Sequence, residues 1–196
     1  MFAEMQGGRS REIRDARTLR ALAHPFRLTL LDLVERRGTL TSTEASEATG
    51  ESTASCSFHL RQLAKYGYLE PAEARNGRER PWRRAFLVER VPEPEDAAMR
   101  RATSEAMKVL VERFADDAKR LLDAGDQLPR AWRRASVFDD ELLYLTSSEL
   151  AQASEAVLDV FARYRGRTSD PSARPDAARA VRAAALMFPI ADDVVG

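Results

Sequence analysis

Residues 41–67, TSTEASEATGESTASCSFHLRQLAKYG, decide the fold. Thr41 and Glu44 have the spacing of a capping box, in which a hydroxyl and a carboxylate three residues apart satisfy the free amides at a helix start. Gly50 ends this first helix, and a second helix is expected over about residues 52–66. Two short helices joined by a tight turn predict a helix-turn-helix unit.

The segment before this unit predicts two more helices. Apolar residues recur there at three- and four-residue steps, as on one face of a helix: Leu19, Leu22, Phe26, Leu30 and Val34. His24-Pro25 interrupts the pattern, because the residue before proline avoids helical geometry whereas proline suits a first helical turn. We therefore expect helices over about 15–23 and 25–37, with Gly38 closing the second.

The segment after the unit predicts a β-hairpin. Two strand-like stretches, 68–73 and 82–88, flank Asn76-Gly77. Both positions of a type I′ turn need positive φ, so Asn-Gly between two strands is a strong hairpin signal. Thr39-Leu40 is expected to add a very short strand. A hairpin that follows a helix-turn-helix is a wing.

The helix over 52–66 has two different faces. Cys56, Leu60 and Leu63 form an apolar stripe that is expected to pack inward. The opposite stripe is small and polar at its start and basic further along: Ala54, Ser57, Phe58, Arg61 and Lys65, with Thr53, Ser55 and Gln62 on its edges. Small residues allow close approach to the DNA major groove, polar groups reach base edges and cations bind phosphates. Phe58 is expected to contact a thymine methyl group or a sugar.

Arginines cluster around the expected turn of the hairpin. Arg75, Arg78 and Arg80 flank its tip, where a wing meets the DNA backbone or the minor groove. The net charge of zero hides an asymmetry, since residues 1–90 carry 16 Lys and Arg against 12 Asp and Glu (+4) and residues 91–196 carry 15 against 19 (−4). A polyanion such as DNA is therefore expected at the first half.

Composition predicts a folded, cytoplasmic protein. The chain has 196 residues, 44% of them hydrophobic, and 32% charged residues that imply a well-solvated surface. It contains no apolar run long enough to span a membrane. The N-terminus lacks the apolar segment of a secretory signal. A single cysteine, Cys56, cannot form an intrachain disulfide and fits a reducing compartment.

The second half predicts mainly helices. After a linker at 91–96, a long amphipathic helix is expected over about 96–123, and a second capping box at Thr146 and Glu149 opens a helix to about Tyr164. Residues 166–175 are expected to form a loop, and short strands are expected within 136–145 and 181–189. The long helix is interpreted as a dimer helix, with packing against the 147–164 helix as the alternative. Aromatic residues of this half could line an effector pocket or simply belong to its core.

Neither a metal site nor catalysis is expected. Thiophilic ions need several thiolates, whereas this chain has one cysteine, on the inward stripe. Two histidines, His24 and His59, lie far apart in sequence and make no convincing site, although a carboxylate-rich site between subunits stays open. Motifs of hydrolases, phosphate loops and zinc proteases are missing from the sequence. We expect no cofactor and no enzymatic activity.

Three motifs resemble the ArsR-type winged-helix repressors. They are LRALAHPFRLTLLDL (19–33), STASCSFHLRQL (52–63) with the S-x-H-L-x-x-L pattern of Ser57, His59, Leu60 and Leu63, and YGYLE (66–70). NGRERPWR (76–83) is similar to a subgroup common in actinobacteria. The resemblance covers about 75 residues. It implies a homodimer that places its recognition helices in successive major grooves of an inverted-repeat operator, usually as a repressor released by an effector.

The sequence thus predicts an α+β, mainly α protein. We expect an N-terminal arm (1–14), a winged helix-turn-helix domain (15–90) and a dimerisation and possible effector region (95–196) with a small C-terminal β element. The expected function is regulation of transcription through double-stranded DNA, with a small molecule, another signal or nothing as effector. A winged-helix module that binds a partner protein is the alternative.

Overall fold

The computed structural model describes residues 9–73, 80–86 and 88–190. The chain is α+β and mainly helical, as the sequence predicts. Its described helices of five residues or more are α1 (Ala16–Arg20), α2 (Pro25–Arg37), α3 (Ser42–Thr49), α4 (Thr53–Lys65), α5 (Ala97–Ala124), α6 (Arg130–Ala135) and α7 (Ser147–Ser169). Its strands are β1 (Ser10–Glu12), β2 (Leu69–Pro71), β3 (Trp82–Arg84) and β4 (Val88–Arg90).

Both ends of α2 and α3 and the start of α4 are where the sequence signals put them. Pro25 opens α2, and Gly38 ends it with a φ of 81°. The capping box at the start of α3 is complete: Glu44 N donates to Thr41 Oγ1 (3.1 Å), and Thr41 N donates to Glu44 Oε2 (2.8 Å). Gly50 follows α3 in the left-handed conformation, and the Ser52 side chain caps α4. These local predictions are confirmed.

The strands form two small sheets. β2 and β3 pair antiparallel with Glu70 opposite Arg83, as expected for the two arms of the hairpin, and an isolated bridge joins Leu40 to Trp82. The expected Asn76-Gly77 turn lies outside the described residues. β1 pairs in parallel with β4, which places part of the expected N-terminal arm in a sheet.

The structure divides into two compact units. The first contains the described residues of 1–113 together with 163–180, and the second contains those of 114–162 and 181–196. The core of the first unit is built from α1 to α4 with the strands, and the beginning of α5 adds Met99, Ala102 and Ala106 to it. Each domain expected from the sequence is one continuous stretch of chain, whereas each of these units is built from two separate stretches.

Arg174 fastens the end of the 163–180 segment within the first unit. Its guanidinium donates to the carbonyl oxygens of Glu35 (2.9 Å) and Arg36 (2.6 Å) at the end of α2, and to those of Arg167 (2.7 Å) and Thr168 (3.3 Å) near the end of α7. The last carbonyls of a helix have no partner within the helix. One arginine therefore caps two helix ends at once.

The C-terminal β element expected from the sequence is wrong. Residues 136–145 and 181–189 form no strand: from 91 to 190, all of which the structure describes, the regular elements are helical. Neither segment is paired with a neighbouring strand. The expected loop at 166–175 also begins later, because Gly166 continues α7 to Ser169 and the chain leaves the helix just before Pro171.

Candidate nucleic-acid interface

α3 and α4 are two short helices joined by residues 50–52. Gly50 makes the sharp turn possible, since its φ of 75° is unfavourable for other residues. Ser52 Oγ accepts a hydrogen bond from Ser55 N (3.1 Å), which fixes the start of α4. α4 packs against both α2 and α3. One side of α4 is thereby held against the core and the other is left accessible.

The inward face of α4 is the one that the apolar stripe predicts. Cys56, Leu60 and Leu63 are completely buried. The Cys56 thiol lies 3.8 Å from Thr49 Oγ1 on α3, as an interior group within the helix pair. This packing fixes the rotation of α4 about its own axis, and with it the residues that point outward.

The outward face carries every α4 residue predicted to contact DNA. Thr53, Ala54, Phe58, Arg61 and Lys65 are exposed, and Ser55, Ser57 and Gln62 are partly exposed. Arg61 Nη1 donates to Ser57 Oγ at 2.8 Å, so the guanidinium lies along the helix toward its N-terminal half. The face combines small residues, hydroxyls and two cations along a 13-residue helix.

The structure describes one of the three arginines that are predicted to contact DNA from the hairpin. Arg80 is exposed, immediately before β3. Arg75 and Arg78 lie outside the described residues. The structure thus shows the eight α4 positions together on one helix face and gives no geometry for the tip of the hairpin.

Two histidines that lie far apart in the sequence are in contact beneath this face. The rings of His24 and His59 lie 4.7 Å apart between centroids, and Phe26 and Phe58 each contact the His59 ring edge-on at 5.2 Å. Arg27 Nε donates to His59 Nδ1 at 3.5 Å. Their separation of 35 positions in sequence hides this contact, which arises because α2 packs on α4. Phe58 therefore packs on His59, which in turn contacts His24.

Burial lowers the pKa of both imidazoles. The positive charge of Arg27 acts in the same direction at both, and His24 adds to the effect at His59, whereas Glu51 opposes it there. The neutral rings are therefore favoured in the folded protein. Across the residues that the structure describes, no group of three or more His, Cys, Asp or Glu side chains could hold a metal ion.

The histidine pair predicts an acid-sensitive fold. Because each folded-state pKa lies below the ordinary value of 6.5, the unfolded chain binds more protons at intermediate pH, and the free energy of unfolding falls as the pH drops from about 6.5 toward the folded-state pKa. Urea unfolding at pH 7, 6 and 5 measures the slope of the free energy of unfolding against pH. The double variant His24→Asn/His59→Gln removes both histidines of the chain and should flatten the slope; an equal slope in both proteins would contradict the assignment.

A second network, which sequence reasoning missed, ties β1 to the base of the hairpin. Arg11 donates to Glu89 Oε1 (2.8 and 3.0 Å) and to the carbonyl of Tyr66 (3.1 Å) just after α4. Its guanidinium also lies 4.5 Å over the ring of Tyr68. A Cβ on Gly67 would come within 2.8 Å of Arg11 Nη1 and would displace the guanidinium, and the φ of 71° at Gly67 favours glycine there.

Comparison with known proteins gives no assignment. No protein-family model matches the chain, and no curated protein matches it. Within the described part of the chain, no helix has the length and apolar character needed to cross a membrane. Function must therefore be argued from the site itself.

Proposed function

We propose that the chain is a sequence-specific, DNA-binding regulator of transcription that acts as a homodimeric repressor. The observation that carries the proposal is the accessible face of α4, on which small, hydroxyl-bearing and basic side chains follow one another while the opposite face is locked into the core. In this proposal α3 and α4 are a helix-turn-helix, and β2 and β3 are the arms of a wing.

The chemistry of the α4 face suits duplex DNA. Thr53, Ala54 and Ser57 allow close approach of the helix to base edges, and Arg61 and Lys65 supply donors to bases and phosphates. Arg61 is held by Ser57 and is thus partly oriented before binding. Arg75, Arg78 and Arg80 would add contacts to the backbone or the minor groove.

A homodimer follows from the operator geometry that such a helix requires and from the surface of the second unit. One recognition helix reads a single half-site, and a two-fold axis doubles the contacts. The second unit exposes many large apolar side chains, which mark interaction surfaces in soluble proteins. They include Leu122, Val137, Phe138, Leu142, Leu143, Tyr144, Leu158, Val181, Leu186 and Phe188.

Phe58 favours a second candidate, a winged-helix module that binds a partner protein. Its side chain is 50% exposed at the centre of the α4 face, and large aromatic residues are frequent anchors of protein interfaces. The basic residues around it favour DNA. The two candidates differ in how binding depends on salt.

The test is the affinity of the full chain for genomic fragments as a function of salt. Fragments selected from genomic DNA by the purified protein are sequenced, and binding to the enriched site and to a scrambled site is measured by fluorescence anisotropy between about 50 and 200 mM salt. Phosphate contacts should make the affinity fall by about 10³-fold or more over this range. A protein that enriches no fragment, or whose binding is insensitive to salt, would exclude the DNA-binding proposal and favour the protein-interaction candidate.

A further inference from the structure

Among the residues that the structure describes, the second unit has almost no interior of its own. Within its described ranges, 114–162 and 181–190, Ala162 is the one hydrophobic side chain that is buried, whereas the other buried hydrophobic side chains belong to the first unit. Burial of apolar surface is the main favourable contribution to folding and has to offset the entropy that the ordered chain loses. The second unit gains little of this free energy from its own contacts.

The exposed apolar side chains of this unit are concentrated in two segments. Six large ones lie in residues 136–145, among them Phe138 and Tyr144, and four lie in residues 181–190, among them Phe188. Each exposes on the order of 100 Å², so the ten offer about 1,000 Å² per chain, whereas a specific interface buries about 800 Å² per partner. The two segments are therefore large enough to form a stable interface between two chains.

The backbone of both segments is available for pairing as well. In the part of the chain that the structure describes, residues 137–145 and 183–190 form no backbone-to-backbone hydrogen bond, and neither segment belongs to a sheet. Amide and carbonyl groups left in this way can pair with a strand of another molecule. Such pairing would satisfy the backbone and bury the apolar side chains in one step.

The charges of the two segments indicate how two copies would pair. Asp139, Asp140 and Glu141 are consecutive and exposed, whereas residues 183–190 carry no charge. Two acidic segments side by side would bring like charges opposite each other, which is unfavourable. The acidic segment of one chain against the uncharged segment of its partner avoids this repulsion, and a two-fold axis makes the same contact twice.

The beginning of α5, which the sequence favours as a dimer helix, is used within its own chain. Met99, Ala102 and Ala106 are buried in the core of the first unit. Met107 and Val111 are the exposed large apolar side chains that follow them before the first unit leaves the helix. This part of α5 thus offers a partner much less apolar surface than the two segments do.

We propose that two copies of the chain form a dimer through their second units, with residues 136–145 of each lying against residues 181–190 of the other. The inference rests on the proposed function in one respect, the homodimer, and it names the surface that joins the two chains. It moves the interface from the long helix to the two segments for which the sequence predicts strands. The ladder that neither segment completes within one chain would form between two.

The mass of the full chain in solution, measured without DNA by light scattering after gel filtration, is the first test. The unaltered chain should be a dimer with a Kd of about 1 μM or below, as expected for an interface of this size. Phe188→Asp places a charge in the interface and should yield a monomer. Val111→Asp is the matched control, since it places the same charge at an exposed apolar position of α5, and it should stay dimeric. A monomeric unaltered chain, a dimeric Phe188→Asp or a monomeric Val111→Asp would each overturn the proposal.

Crosslinking tests the same contact without adding a charge. Leu143→Cys and Leu186→Cys are prepared separately, mixed so that subunits exchange, and treated with a short bismaleimide. The mixture should give severalfold more covalent dimer than either variant alone, and the unaltered chain, whose Cys56 is buried, should give none. As much covalent dimer from either variant alone as from the mixture would overturn the pairing of 136–145 with 181–190.

DNA binding separates this inference from the proposed function. Phe188→Asp should bind the selected operator at least about tenfold more weakly than the unaltered chain, because a monomer reads a single half-site. A dimer with this interface that enriches no DNA fragment would keep the inference and refute the DNA-binding function. A monomeric chain that binds one DNA site with high affinity would do the reverse.

Discussion

Leu60→Ala is expected to lower the free energy of unfolding by about 2–5 kcal/mol. Leu60 is completely buried at the middle of α4, within the cluster that α2, α3 and the strands share. Truncation to alanine removes favourable burial and leaves a cavity that the surrounding helices fill only in part. Denaturant unfolding followed by circular dichroism measures the loss, with an unchanged dependence on denaturant showing that the native state is otherwise intact.

Phe58→Ala is the matched control on the same helix. Phe58 is half-exposed and contacts His59 edge-on, so its loss should cost about 1 kcal/mol or less. Under the proposed function the same variant should weaken operator binding. If Leu60→Ala and Phe58→Ala destabilised the fold equally, the assignment of inward and outward faces of α4 would be wrong.

The part of the fold that could be predicted from sequence is the part fixed by local chemistry. The Thr41–Glu44 capping box, proline at the start of α2 and glycine after α2 and α3 each act within one helix turn, and all are found as predicted. The apolar stripe of Cys56, Leu60 and Leu63 also needed no knowledge of distant residues, because a helix with one apolar face must bury that face.

What could not be predicted depends on residues far apart in the chain. The parallel pairing of β1 with β4 joins Arg11 to Glu89, the His24–His59 contact joins α2 to α4, and Arg174 reaches the end of α2 across more than 130 positions. No periodicity encodes such contacts. Each appears only once the helices have packed.

The wrong strand predictions in the second half have a related cause. Residues 136–145 and 181–189 are rich in apolar side chains, which favours an extended conformation, but a strand exists only when another strand accepts its hydrogen bonds. Tyr144 is 90% exposed and Val181 70%, so these segments do not bury their apolar residues within the described chain. Under the proposed function a second copy of the chain would cover part of this surface.

The double variant Arg61→Ala/Lys65→Ala is expected to weaken binding to the selected operator by about 10²-fold or more, since a specific arginine–base contact contributes about 1–3 kcal/mol and a phosphate contact adds to it. Both residues are exposed on α4 and neither belongs to the core, so the free energy of unfolding should barely change. The slope of log affinity against log salt concentration should also decrease in magnitude by roughly one to two, because fewer counterions are released.

A matched control removes the same two charges elsewhere. Lys119 and Arg120 are 72% and 68% exposed on α5, and Lys119→Ala/Arg120→Ala changes the net charge by the same amount. If the effect at α4 came only from general attraction to a polyanion, both double variants would weaken operator and scrambled DNA alike. If α4 reads the DNA sequence, only Arg61→Ala/Lys65→Ala should lose affinity, and the loss should be larger for the operator than for the scrambled fragment. Equal losses in the two double variants would contradict the role proposed for this face.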